Sequence, residues 1–309
     1  MKIKAIAPWF GSKRTLASAI VQELGPHSQY FEPFCGSMAV LLSKEPAQKE
    51  TVNDLHGDLI NLARVIADPE AAPALYERLQ AAVVSEDLLK HAKEVLDDAS
   101  SLSLLLHHKG PTFEHSIDRA YWYFLASWMG RNGTAGTKRM DYQIAVRWTK
   151  NGGSPTVRWR NAVDSLPAWH RRLQNVVILR RDAFSILDRF EDCKGTAIYV
   201  DPPYPCETRS GYRPGVSSDH KYLHEFSHGS ADGGLFVQED DHARLAKILR
   251  GYRHARIVVS SYDCPRVREL YDGWTFACHT MNKQLHAQNG RGARKKEAPE
   301  VLIINRAEA

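Results

Sequence analysis

Two hydrophobic periods alternate along the chain. Short runs rich in β-branched and aromatic residues, at 30–34, 51–53, 176–179, 196–200, 255–260 and 301–304, read as strands. Between them, apolar residues recur every three or four positions. Leu16, Ile20, Val21 and Leu24 mark one such helix, and 162–172 and 241–249 mark two more. Strands separated by helices imply parallel crossovers. The pattern therefore predicts an α/β fold, a doubly wound and mainly parallel sheet with helices on both faces.

The middle of the chain departs from this alternation. From 58 onward, helical spacing runs through Leu62, Val65, Ile66, Leu75, Leu79 and Val83, then through Leu88, Val95, Leu102 and Leu105, and an apolar helix covers 119–128. A glycine-rich stretch at 130–139 follows. Residues 142–148 alternate, 151–155 break the pattern, and 156–160 resume it, which reads as a β-hairpin. The expected organisation is a core in two parts, 1–57 and 161–309, with a helical and hairpin insert over 58–160. Lys138, Arg139, Arg147, Lys150, Arg158 and Arg160 stand on or beside that ribbon. Such residues suit phosphate contact, with arginine the usual reader of guanine edges, although a solvated surface hairpin would look the same.

The most informative run is Thr196, Ala197, Ile198, Tyr199 and Val200, which stops at Asp201, Pro202, Pro203 and Tyr204. Neither proline can extend the strand, because each lacks an N–H and has a fixed φ. Asp201 is thus delivered to the carboxyl end of a strand, where open α/β sheets place their ligands. A carboxylate, the Pro202 carbonyl and the flat face of Tyr204 can together grip a planar amino group. An exocyclic amine on a nucleobase is a poor nucleophile, since its lone pair is delocalised into the ring. Two acceptors on its N–H bonds favour a pyramidal nitrogen and meet charge that develops only in the transition state. A plain Pro-Pro turn capped by Asp201 is the alternative use.

Other strand ends carry candidate chemistry too. Gly11 precedes the first helix, and a glycine turn there collects free N–H groups suited to a carboxylate or phosphate. Phe34, Cys35 and Gly36 follow the first strand, as a nucleoside-binding βα unit requires. Asp54 lies about twenty residues further on, where a carboxylate commonly takes ribose hydroxyls. Asn53 or Asp54 would also serve to cap the helix near Leu59. Asp182 follows the 176–179 strand and is a candidate cap as well. Residues 206–232 are polar and read as a loop beside the site, a lid in which Tyr222 and Phe226 stack a base or anchor the loop. A basic loop bearing Arg291, Arg294 and Lys295 precedes the last strand, and backbone phosphates are its natural partner.

Asp201–Pro202–Pro203–Tyr204 resembles the catalytic motif of amino-methyltransferases that use S-adenosylmethionine, and the surrounding motifs are similar to those of the DNA adenine methylase (Dam-like) family. The resemblance assigns Trp9 and Lys13 to an N-terminal cofactor motif, and Phe34 and Gly36 to the Phe-x-Gly-x-Gly turn. Met38 replaces the second glycine there, and would either crowd the methionine moiety or demand a different turn. Asp182 matches the acid that takes the cofactor's adenine amino group, with Phe184 packing nearby. Arg131 and Asn132 partly match a recognition-domain motif, and the stretch from Ser260 to Asp263 a strand-end motif. The resemblance implies a class I methyltransferase-like fold with a target-recognition insert. The implied activity is site-specific methyl transfer from S-adenosylmethionine to N6 of an adenine flipped out of double-stranded DNA. N4-cytosine methylation is the nearest alternative, and a DNA-binding protein with an inactive methyltransferase core is another.

Composition adds limits. A net charge of +5 permits an anionic partner without requiring one. The five cysteines form no CxxC pair, so neither a zinc site nor a disulfide framework is expected, and the chemistry needs no metal. No membrane-length apolar run or signal peptide is evident, which makes a cytoplasmic protein the expectation, with a cognate restriction enzyme as a candidate partner.

Overall fold

In the computed structural model the described residues are 3–9, 11–97, 117–130, 143, 144, 146, 153–205, 226, 240–282 and 297–306. Five strands run parallel: β1 (Gln29–Glu32), β2 (Lys49–Asn53), β3 (Val177–Leu179), β4 (Thr196–Val200) and β5 (Arg256–Tyr262). β6 (Thr275–Asn282) and β7 (Glu297–Ile304) complete the sheet, with β7 antiparallel to both β5 and β6. The order is β3-β2-β1-β4-β5-β7-β6. The chain builds outward from β1 to β3, then returns to lay β4 on the other side of β1. That reversal opens a crevice at the carboxyl ends of β1 and β4, where a doubly wound sheet binds its ligand.

Period-two alternation explains why both faces are covered. In β4, Ala197 and Tyr199 enter one apolar cluster while Ile198 and Val200 enter the other. Val258, Leu302 and Ile304 share the first face, and Ile257, Val259, Val301 and Ile303 the second. The first face is packed by α1 (Ala17–Leu24), α2 (Gly57–Ala67) and α5 (Ile117–Met129), joined by α3 (Ala71–Ala81), α4 (Glu86–Asp97), α6 (Pro155–Val163) and α7 (Leu166–Leu173). The second is packed by α8 (Ala183–Leu187), α9 (Asp241–Arg250) and α10 (Pro265–Leu270).

Several expectations require correction. Residues 156–160 are not a strand but part of α6, with Pro155 in its first turn and Trp159, Ala162 and Val163 buried. A proline there loses no intrahelical bond and pre-sets φ. The helix expected over 162–172 is divided, since α6 ends before Asp164 and α7 restarts at Leu166 with Pro167 in its first turn. After Gly36 the chain makes only a 3₁₀ turn, Leu41–Ser43. Val83 lies past α3 and is 73% exposed. β6 and α10 were not expected at all.

Aromatic residues anchor the N-terminal segment that enters the crevice. The Trp128 and Trp169 indole N–H groups donate to the Ile6 and Ile3 carbonyls at 3.1 and 2.7 Å. Both rings are buried and stacked on one another. Arg119 ties the helices together, donating to both Asp58 oxygens and to the Leu96 carbonyl.

Candidate active site

The β4 run is buried at every position and ends at Val200, as Pro202 and Pro203 dictate. Asp201 therefore stands at the crevice with its side chain 20% exposed. Ser260 of β5 donates its hydroxyl to Asp201 Oδ1 at 2.8 Å, and the Tyr199 hydroxyl lies 2.9 Å behind that of Ser260. The Lys13 ammonium holds Asp201 Oδ2 at 2.8 Å and is itself fixed by the Gly11 carbonyl at 2.8 Å. Burial raises the Asp201 carboxyl above its ordinary value, Lys13 and the Ser260 hydrogen bond pull it down, and Glu300 pushes it up.

Tyr204 is buried beside this pair. Its ring lies 5.0 Å below the Lys13 ammonium and meets Tyr262 edge to face at 4.7 Å. Its hydroxyl donates to Glu300 Oε1 on β7 at 2.5 Å. Trp9, Lys13, Gly36 and Asp201 line one pocket together with Glu32, Ser37 and Tyr199. Its free space is about 10 Å³, room for a single water.

The turn after β1 is shaped by two backbone constraints. Gly36 has φ +44°, and a Cβ there would meet Trp9 Nε1 at 2.8 Å, so no side chain fits. Met38 adopts φ +60°, yet its side chain is fully buried in the first apolar cluster. It does not line the pocket shared by Trp9, Lys13, Gly36 and Asp201.

Asp54 braces this turn. One oxygen accepts the Gly36 N–H and the other the His56 N–H, both at 2.9 Å. The cap of α2 is His56, whose Nδ1 accepts the Leu59 N–H, in place of the expected Asn53 or Asp54. Asn53 instead bridges strand ends, donating to the Pro33 and Arg181 carbonyls and accepting the Arg181 N–H. Asp182 caps α8 through the Ser185 N–H, leaving Phe184 buried. Phe34 and Phe184 both pack against Phe226, at 5.7 and 5.5 Å between ring centroids.

The structure thus gathers Trp9, Lys13, Gly36, Asp201 and Tyr204 in one place, with Asp54 directly behind them. Phe34 and Phe184 meet around Phe226 to one side. Arg158 has a different use: it donates to the Trp128 and Gly130 carbonyls at the end of α5. Arg131, Asn132, Lys138, Arg139, Arg147, Arg291, Arg294 and Lys295 lie outside the described residues, as does most of the expected lid. Sequence reading missed Glu32, Tyr199 and Glu300 as site residues, and gave Ser260 no contact with Asp201. Alternation along β4 and β5 was the available signal for Tyr199 and Ser260. Among the described residues no cluster of three metal-ligating side chains occurs, and no helix is long and apolar enough to cross a membrane.

A mainly parallel sheet in this order, with an acid and two prolines at its switch point, is consistent with an α/β methyltransferase fold. Comparison with known proteins narrows the class. The family model for the D12 class N6 adenine-specific DNA methyltransferases matches residues 9–286, and the chain belongs to that family. It is also similar to the retron Ec67 DNA adenine methylase of Escherichia coli, with 24% identity over 320 residues that cover 99% of this chain and 92% of that protein. The activity is methylation of adenine in DNA, and S-adenosylmethionine is the methyl donor on which the family generally depends.

Proposed function

We propose that the crevice between β1 and β4 holds S-adenosylmethionine on one side and an adenine extruded from double-stranded DNA on the other. The residues fit such a cofactor: the turn at Gly36 excludes any side chain and is floored by Trp9. Asp54 and Asp182 offer carboxylates at the ends of adjacent strands, the former toward ribose hydroxyls and the latter toward an adenine amino group. Phe34 and Phe184 supply apolar surface for that ring. Trp9 and Lys13 form part of the same wall, Lys13 being held there by Asp201, Glu300 and the Gly11 carbonyl. When bound, the cofactor supplies an activated methyl group on a sulfonium.

The chain's own residues do the remainder. The amino group of a paired adenine is shielded in the duplex, so the base must leave the stack. Asp201 and the Pro202 carbonyl accept its two N–H hydrogens, while Tyr204 supports the ring and Pro203 keeps the turn stiff. Held this way, the nitrogen lone pair is aimed outward, and positioning with fixed dipoles supplies the acceleration. We assign target recognition to the stretch between α2 and α6, within 58–160, with Arg131, Asn132, Lys138, Arg139 and Arg147 as its contacts. Arg291, Arg294 and Lys295 are assigned to backbone phosphates. The protein would act in the compartment that contains the DNA.

The observation that carries this reading is the placement of Asp201 at the switch point, oriented by Ser260 and Lys13. Calorimetric titration with S-adenosylmethionine tests the cofactor half, and base mapping of DNA from a methylation-free host expressing the protein tests the other. Saturable binding that Asp54→Ala weakens, together with N6-methyladenine in one short sequence context, is expected. Absence of binding, or scattered modification, contradicts it.

A further inference from the structure

Glu300 is an acidic group beside Asp201 and Tyr204 that the proposed mechanism leaves without a task. It sits on β7 opposite Tyr262 of β5, at the edge of the crevice, with its side chain 13% exposed. Its Oε1 accepts the Tyr204 hydroxyl at 2.5 Å and lies 3.4 Å from the Lys13 ammonium. The same ammonium holds Asp201 Oδ2 at 2.8 Å. One cation is therefore shared between two carboxylates, and the one it grips more closely is the acceptor that an adenine amino group needs.

We propose that Glu300 is a positioning residue for methyl transfer, which receives Lys13 when the target base arrives and fixes the ring of Tyr204 through its hydroxyl. The physical reason is competition. In a site this narrow an ammonium on a carboxylate outcompetes a neutral amine hydrogen, because a charge-assisted bond is about twice as strong as a neutral one. A second carboxylate already within reach of Lys13 lowers the cost of letting Asp201 go. At the same time Tyr204, held by Glu300 at its far end and by Tyr262 at its edge, keeps one ring plane. Among the described residues, the other groups facing Asp201 are Ser260 and Tyr262 of β5, Tyr199 of β4 and Glu32 of β1.

This inference rests on the assigned roles of Asp201 and Tyr204, so the test carries a control for them. Methylation of duplex DNA is measured against pH for the wild type and for Glu300→Gln, Tyr204→Phe and Asp201→Ala, with S-adenosylmethionine affinity by calorimetry as the folding check. Glu300→Gln is expected to lower kcat at least tenfold at unchanged cofactor affinity. It should also move the acid limb to lower pH, because a repelling charge is gone and Lys13 stays on Asp201. Tyr204→Phe should lower kcat less and leave the limb in place. Wild-type kcat in Glu300→Gln, or a fall in kcat with an unmoved acid limb, overturns the role of Glu300 if Asp201→Ala is inactive in the same assay. Activity in Asp201→Ala overturns the site reading itself. If Glu300→Gln fails the folding check, wild-type kcat in Tyr204→Phe overturns the anchoring role.

Discussion

The Lys13 ammonium lies 2.8 Å from the Asp201 carboxylate, joining the N-terminal turn to the end of the central strand. Burial raises the Asp201 carboxyl, and Lys13 is the largest opposing influence. Asp201 must be ionised to accept the amino hydrogens. Replacing Lys13 by Met removes the largest opposition to burial and leaves only the Ser260 hydrogen bond, so the carboxyl titrates at higher pH. We therefore expect Lys13→Met to shift the acid limb of methylation upward and to reduce the rate at neutral pH. A pH profile of single-turnover methylation checks it; an acid limb at or below the wild-type position contradicts it.

Glu32 gives a stability prediction. It is 1% exposed, accepts the Tyr30 hydroxyl at 3.0 Å, and is raised well above its ordinary value of 4.5, chiefly by burial. The native state then holds this proton more tightly than the unfolded chain. Stability must fall as pH rises from the ordinary carboxylate value toward the native one. Glu32→Gln cannot lose a proton and keeps an acceptor for Tyr30. Urea denaturation at several pH values is expected to show a flatter pH dependence in Glu32→Gln, with no loss of stability at neutral pH.

Met38 sets two effects against each other. Its left-handed backbone costs about 1–2 kcal/mol relative to glycine. Its buried side chain contributes roughly 2–5 kcal/mol through packing. Packing wins, and glycine adds entropy to the unfolded chain. Met38→Gly should therefore lower stability by about 2 kcal/mol or more, measured by chemical denaturation, while retaining cofactor affinity. A stabilised variant contradicts the burial argument.

Much of this arrangement was legible in the chain, and the failures share a cause. The buried run 196–200 and its stop at two prolines are local signals, and the strand they predict is found and ends just before Asp201. The 156–160 segment holds Thr156, Val157 and Trp159, which suit a strand locally. Tertiary burial of Trp159, Ala162 and Val163 makes it helical instead. β6 was missed because its pairing with β7 is set across residues 283–296 and not by any apolar run of its own. Glu300 reaches Tyr204 from 96 positions away, a contact that no local pattern encodes. The direction of the Met38 side chain depends on a positive φ that sequence alone does not reveal.

Arg158 illustrates how structure reassigns a basic residue. Its guanidinium satisfies the Trp128 and Gly130 carbonyls at the end of α5. Arg158→Ala should cost about 1–3 kcal/mol of stability through those bonds. The slope of log K against log salt for DNA binding should stay unchanged, whereas loss of a phosphate contact would reduce it by about 1. Thermal melting and salt titration together decide between the two uses.

The central claim concerns Asp201, and its most direct test is methyl transfer from radiolabelled S-adenosylmethionine to duplex DNA by Asp201→Ala, paired with cofactor binding on the same preparation. Loss of transfer by about a hundredfold or more, with cofactor affinity retained, is the expected result. Turnover near that of the wild type would contradict the account.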